Sequence, residues 1–206
     1  MLHPTPILKE SPSQTAGPYV HIGMTPNFCD ITGVCEADLG VTMLTPDTQG
    51  ERITITGRIF DGSGAPVGDA VLEIWQADAD GAFISPPTRN SNSVPAFTGW
   101  GRQPTQPDGT FTFETIKPGR VEGPDGRPMA PHVSLWIVAR GINIGLQTRL
   151  YFADEAEANK DDFVLNKIMD PRRRETLIAR REEGPVPRYV LDIHLQGERE
   201  TVFFDI

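Results

Sequence analysis

The amino-acid sequence predicts a mainly β chain, folded as an antiparallel β-sandwich with an extended N-terminal arm and a short helical excursion near residues 155–183. Three observations carry that expectation. Apolar and polar residues alternate strictly in several short segments, the period of a half-buried strand. The 20 glycines and 19 prolines gather largely between those segments, where they mark turns without reaching the level of a disordered chain. Near-helical spacing is confined to one region after residue 154.

Taken in order, residues 1–28 are rich in proline and lack periodicity, so they read as an extended arm. The arm and its loops are assigned to residues 1–50 and the sandwich to 51–206. In "ITITGRIF", Ile53, Ile55 and Ile59 alternate with Thr54, Thr56 and Arg58. "DGSGAP" is a turn, "AVLEIWQA" a strand and "DADG" a second turn. Residues 84–109 read as loop, and "TFTFET" as a strand with Phe111 and Phe113 on one side. "APHVSLWIVARG" (130–141) sets Val133, Leu135, Ile137 and Ala139 on one face and His132, Ser134, Trp136, Val138 and Arg140 on the other. "LQTRLYFAD" is a further strand. "EAEANKDDFVLNKIM" is expected to be helical, and Pro171 to open a second helix over "PRRRETLIARRE". "RYVLDIHLQG", with Tyr189, Leu191, Ile193 and Leu195 on one face, and "ETVFFDI" return to strand.

A net charge of −9 argues against nucleic acid and anionic membrane surfaces as partners, because both would repel the chain. An anionic substrate would need a local arginine. No apolar run approaches the ~20 residues of a membrane span. "MLHPTPILKESPSQ" lacks the basic and apolar regions of a signal peptide, so a cytoplasmic location is expected. Cys29 and Cys35 are either two reduced thiols in a loop, a local disulfide or half of a metal site.

Familiar catalytic motifs are missing. There is no G-x-S-x-G elbow and no Walker loop, and "DADGAF" lacks the spacing of a calcium loop. The histidines His3, His21, His132 and His194 lie more than ten residues apart, so none forms a local metal pair. His132 reads either as a ligand or as a hydrogen-bonded structural residue. Arg140 reads either as an anion site or as an ion pair at a surface or interface. On one strand the two would stand roughly 26 Å apart at ~3.3 Å per residue. One small substrate cannot touch both.

Seven segments resemble the intradiol ring-cleaving dioxygenases, and most of all the iron-free α chains of the family's α/β members. They are "SPSQTAGPYVHIG" (11–23), "LEIWQADADG" (72–81), "PDGTFTFETIKPG" (107–119), "APHVSLWIVARG", "TRLYFADE" (148–155), "RRETLIARR" (173–181) and the terminal "ETVFFDI". The resemblance spans almost the whole chain. It implies a β-sandwich core and non-haem Fe³⁺ held by two tyrosines and two histidines. Those four positions fall here on Phe83, Val121, His132 and Ser134, so one ligand survives of four. Phe and Val offer no donor, and Ser suits ferric iron poorly.

The resemblance therefore implies that no metal is held by this chain, that these four positions are vestigial, and that Fe³⁺ belongs to a homologous β subunit. It further implies that Thr15, Gly17, Pro18, Tyr19 and Arg140 line the β subunit's site and contact the substrate. That substrate would be 3,4-dihydroxybenzoate, cleaved with O₂ to 3-carboxy-cis,cis-muconate in aromatic catabolism through the β-ketoadipate pathway. Two rivals remain: a self-sufficient dioxygenase, and a transthyretin-like or immunoglobulin-like binding module without catalysis.

Overall fold

The computed structural model describes residues 15–84, 95–124, 126–143 and 145–205. Helix α1 (Gly17–Met24) precedes strands β1 (Arg52–Phe60), β2 (Val71–Gln76), β3 (Trp100–Pro104), β4 (Thr110–Ile116), β5 (His132–Val138) and β6 (Leu146–Phe152). Helix α2 (Ala156–Asp161), a 3₁₀ turn (Leu165–Lys167) and helix α3 (Pro171–Glu175) follow, then β7 (Ile178–Glu182), β8 (Arg188–Val190) and β9 (Ile193–His194).

The strands run in the order β3-β2-β5-β6-β7-β8-β1-β4, with β9 also on β1. The outermost strands β3 and β4 approach one another, so the sheet nearly closes around its core. It is mixed, which corrects the expectation of a wholly antiparallel one. β1 pairs in parallel with β8 and β9, and β6 with β7. The physical reason is the helical crossover between β6 and β7. A parallel pair needs a connection of a dozen or more residues, and residues 153–177 supply it.

Alternation places the core as expected. Ile53, Ile55, Ile59, Leu72, Ile74, Phe111, Phe113, Val133, Leu135 and Ile137 are buried in one cluster with Phe152 and Tyr189. The last two rings meet edge to face at 4.8 Å. Met43 joins the same core, so the chain before residue 51 contributes to it. A smaller cluster of Tyr151, Ala158, Leu165 and Leu177 fixes the helical crossover to β6.

Several elements differ from expectation. Residues 17–24 of the arm are helical, because proline in the first helical turn gives up only an N–H that has no partner there; residues 1–14 lie outside the described residues. β3 stands inside the segment read as loop, antiparallel to β2, while residues 85–94 of that segment lie outside the described residues. The first expected helix breaks at Asp162. Its buried carboxylate accepts from the backbone N–H groups of Val164 at 2.9 Å, Leu165 at 3.0 Å and Ala130 at 3.0 Å, so it ends one helical piece and caps the next. The second expected helix stops at Glu175. Ile178–Glu182 extend as β7, bridging β6 and β8 with Ala179 in the core. Asp170 caps α3 from its side chain, accepting from Arg172 N–H at 2.9 Å with Pro171 following it. Among its described residues the terminal "ETVFFDI" makes one bridge, Phe204 to Gln147.

Candidate functional site

β5 carries the two candidate regions at opposite ends. At its C-terminal end the strand stops at Val138, and Gly141 turns the chain with φ +84°, a conformation that favours glycine. Arg140 is left exposed beside this turn. Its Nε donates to the carboxylate of Asp69 in a close ion pair. Among the described residues, both terminal guanidinium nitrogens are left for another acceptor. Arg140 borders a cleft of about 880 Å³ whose walls include Asp61, Gln147, Leu195 and Phe203.

The arm reaches this same turn. The backbone N–H of Gly141 donates to Thr15 Oγ1 at 2.9 Å. Thr15 and Arg140, 125 positions apart in sequence, are thereby brought together. Gly17 opens α1 with φ +58°, Pro18 follows it, and Tyr19 stands 81% exposed on the helix. Among the described residues, an aromatic ring so exposed on a short helix packs little against its own chain.

The other end of β5 is different in kind. His132 is buried, with its ring 5.6 Å from that of Tyr151. Its Nδ1 lies 2.8 Å from the Ala130 carbonyl, which must accept, so the proton sits on Nδ1. Burial, reinforced by the charge of Arg149, lowers its pKa to about 4, and the imidazole is neutral at pH 7. Ser134 stands opposite Arg149 in the β5–β6 register. Val121 is buried against Ala77 and Met129, and Phe83 is half exposed. These four residues offer an imidazole and a hydroxyl, and no phenolate. Among the described residues no three His, Cys, Asp or Glu side chains converge as a metal-ligand group. The donor set does not fit a ferric ion. Cys29 and Cys35 are free thiols, each partly exposed.

Sequence reasoning missed two residues of these regions. Asp69 lies in a turn 71 positions before Arg140, and nothing local connects the two. Arg149 carried a signal. Alternation in "LQTRLYFAD" sets Gln147, Arg149 and Tyr151 on one face, and an antiparallel β5–β6 pair then sets them opposite Trp136, Ser134 and His132.

Comparison with known proteins shows the family. A family model described as "Dioxygenase" matches residues 24–197. The chain is 48% identical over 204 residues to the protocatechuate 3,4-dioxygenase alpha chain of Pseudomonas putida, covering 98% of this chain and 99% of that one. It is 35% identical over 162 residues to the protocatechuate 3,4-dioxygenase beta chain of Burkholderia cepacia, covering 74% and 67%. Among solved structures, 3-chlorocatechol 1,2-dioxygenase of Rhodococcus opacus 1CP superposes with a TM-score of 0.60 at 25% identity, covering 80% of this chain and 67% of that one. On the strength of a family match over most of its length, the chain belongs to the intradiol dioxygenase family.

Proposed function

We propose that this chain is the iron-free α subunit of a protocatechuate 3,4-dioxygenase, acting in an α–β assembly in the cytoplasm. The observation that carries the reading is the hydrogen bond from Gly141 to Thr15, which gathers the arm beside Arg140 at a site remote from the chain's own unfit metal positions. The high identity to the Pseudomonas putida alpha chain, and a lower one to a beta chain, support a division into two homologous subunits. In this reading residues 1–50 lie along the β subunit, and residues 51–206 form a sandwich whose two layers are joined through β7.

Fe³⁺ would be held by the β subunit, where it would supply activation of the catecholate toward O₂. What this chain adds is binding and exclusion of water. Arg140 holds the carboxylate of 3,4-dihydroxybenzoate, since a planar guanidinium matches two carboxylate oxygens and a charge-assisted bond of this kind is strong. Asp69 holds Nε and so fixes the plane of the guanidinium. Thr15, Gly17, Pro18 and Tyr19 form a wall over the ring. In a chain of net charge −9, this local cation also offsets a repulsive background.

The test is reconstitution. Purified alone, the chain is expected to hold no stoichiometric iron and to show no ring cleavage. Co-expressed with its β subunit, it is expected to give a ferric, coloured complex that yields 3-carboxy-cis,cis-muconate. An iron-loaded, active homo-oligomer of this chain would overturn the reading.

A further inference from the structure

A second cavity, of about 460 Å³, opens beside the outer face of β5 and β6. Its lining includes Arg149, Lys167, Ser134, Phe163 and Phe204, and contains no carboxylate. That is unusual in a chain with nine more negative than positive charges. Arg149 is partly buried, yet its guanidinium makes one hydrogen bond among the described residues, to the phenol of Tyr151 at 3.3 Å. Five N–H donors are available to it. Lys167 has no acidic partner among the described residues, and its Nζ lies over the Phe163 ring, 5.1 Å from the centroid. The remaining walls are apolar, from Val164, Ile168 and Val202. Two cations with no ion pair among the described residues, beside aromatic and aliphatic walls, suit one kind of ligand, a flat apolar body with one anionic end. The volume lies within the range of small-molecule sites.

We propose that this cavity binds an aromatic monocarboxylate, with the carboxylate on Arg149 and Lys167 and the ring against Phe163 and Phe204. No bond is made or broken. Of the four positions compared with metal ligands, Ser134 is the one that lines this cavity. The site lies within this chain and does not rest on the α-subunit reading.

The experiment is equilibrium dialysis of the full chain against radiolabelled benzoate, with benzamide as the uncharged competitor. One benzoate per chain is expected, with benzamide at least 10-fold weaker. Arg149→Gln should weaken benzoate at least 10-fold and Lys167→Gln several-fold, with Arg149→Lys recovering part of the loss. Arg58→Gln, at an exposed arginine of β1 outside this cavity, should leave benzoate binding unchanged. Thermal melting establishes that each variant is folded; if Arg149→Gln is not, Lys167→Gln and the benzamide comparison decide. Absence of saturable binding, equal affinity for benzamide, or binding that survives loss of both cations would overturn the proposal. Failure here leaves the iron and turnover of the α–β complex untouched, so the two readings fail separately.

Discussion

His132 shows how one residue type at one place can change its role. The sequence allowed a ligand or a structural residue, and the surroundings give the second. Burial and Arg149 hold the imidazole neutral, with its pKa lowered from 6.5 to about 4. As pH falls below 6.5, the unfolded chain takes up a proton that the folded chain refuses until about pH 4. Stability contributed by His132 is therefore complete above 6.5 and lost between 6.5 and 4, by on the order of 3 kcal/mol. His194, lowered by burial and by Arg199, adds to the same slope. His132→Gln should flatten the pH dependence of the urea midpoint between pH 6.5 and 4.5, leaving the part due to His194. An unchanged slope would mean that His132 is solvated. Arg140 and Thr15 were legible as candidates from motif and strand position. Asp69 was not, because an ion pair spanning 71 residues leaves no local trace.

Elements were legible where a local period matched the final environment. The alternating segments behind β1, β2, β4, β5 and β6 fold as read, because one face of each meets a common core. The failures lie where distant contacts outweigh local preference. β7 carries good helix formers, but its extended form pairs with two strands at once. β8 and β9 read as one strand. The chain between them crosses β1 at Gly57, where Leu191 N–H donates to Thr56 O at 3.0 Å and the Asp192 carboxylate accepts from Arg58 N–H at 3.0 Å. A Cβ at Gly57 would lie 1.8 Å from the Leu191 carbonyl oxygen. Gly57→Ala should therefore cost more than about 2 kcal/mol or prevent folding, measured by urea unfolding, whereas Gly64→Ala, in open space, should show only the smaller cost of its positive φ. Strand ends are clamped too. Asp154 accepts from Lys117 Nζ at 2.8 Å, Arg181 Nη1 at 2.9 Å and Tyr189 Oη at 2.9 Å, tying the ends of β4 and β6 to β7 and β8. Burial, together with the bond to Asp154, pushes the Tyr189 phenol up to about 12. Asp154→Asn should lower stability by about 1–3 kcal/mol, read from the same unfolding curves.

At the scale of the molecule, one sheet keeps two ends of β5 apart and gives each its own chemistry. The His132 side chain is buried within the chain, and the Arg140 end opens outward with the arm fastened to it. Part of this was legible before the fold was known: the strand and its two faces follow from alternation, although β5 ends at Val138, before Arg140. How the arm joins Arg140 was not, since only folding brings Thr15 to Gly141. The proposal at this scale is that Arg140 reads the substrate carboxylate at an iron held by the β subunit. It is tested most directly by kcat/KM of the α–β enzyme carrying Arg140→Ala, measured on 3,4-dihydroxybenzoate and on catechol. A charge-assisted hydrogen bond contributes about 1.5–3 kcal/mol, so the carboxylated substrate should lose roughly 10- to 100-fold. Catechol, which has no carboxylate, should lose far less, and iron content should stay the same. An equal loss on both substrates would contradict the account and leave Arg140 as a residue that merely holds the subunits together.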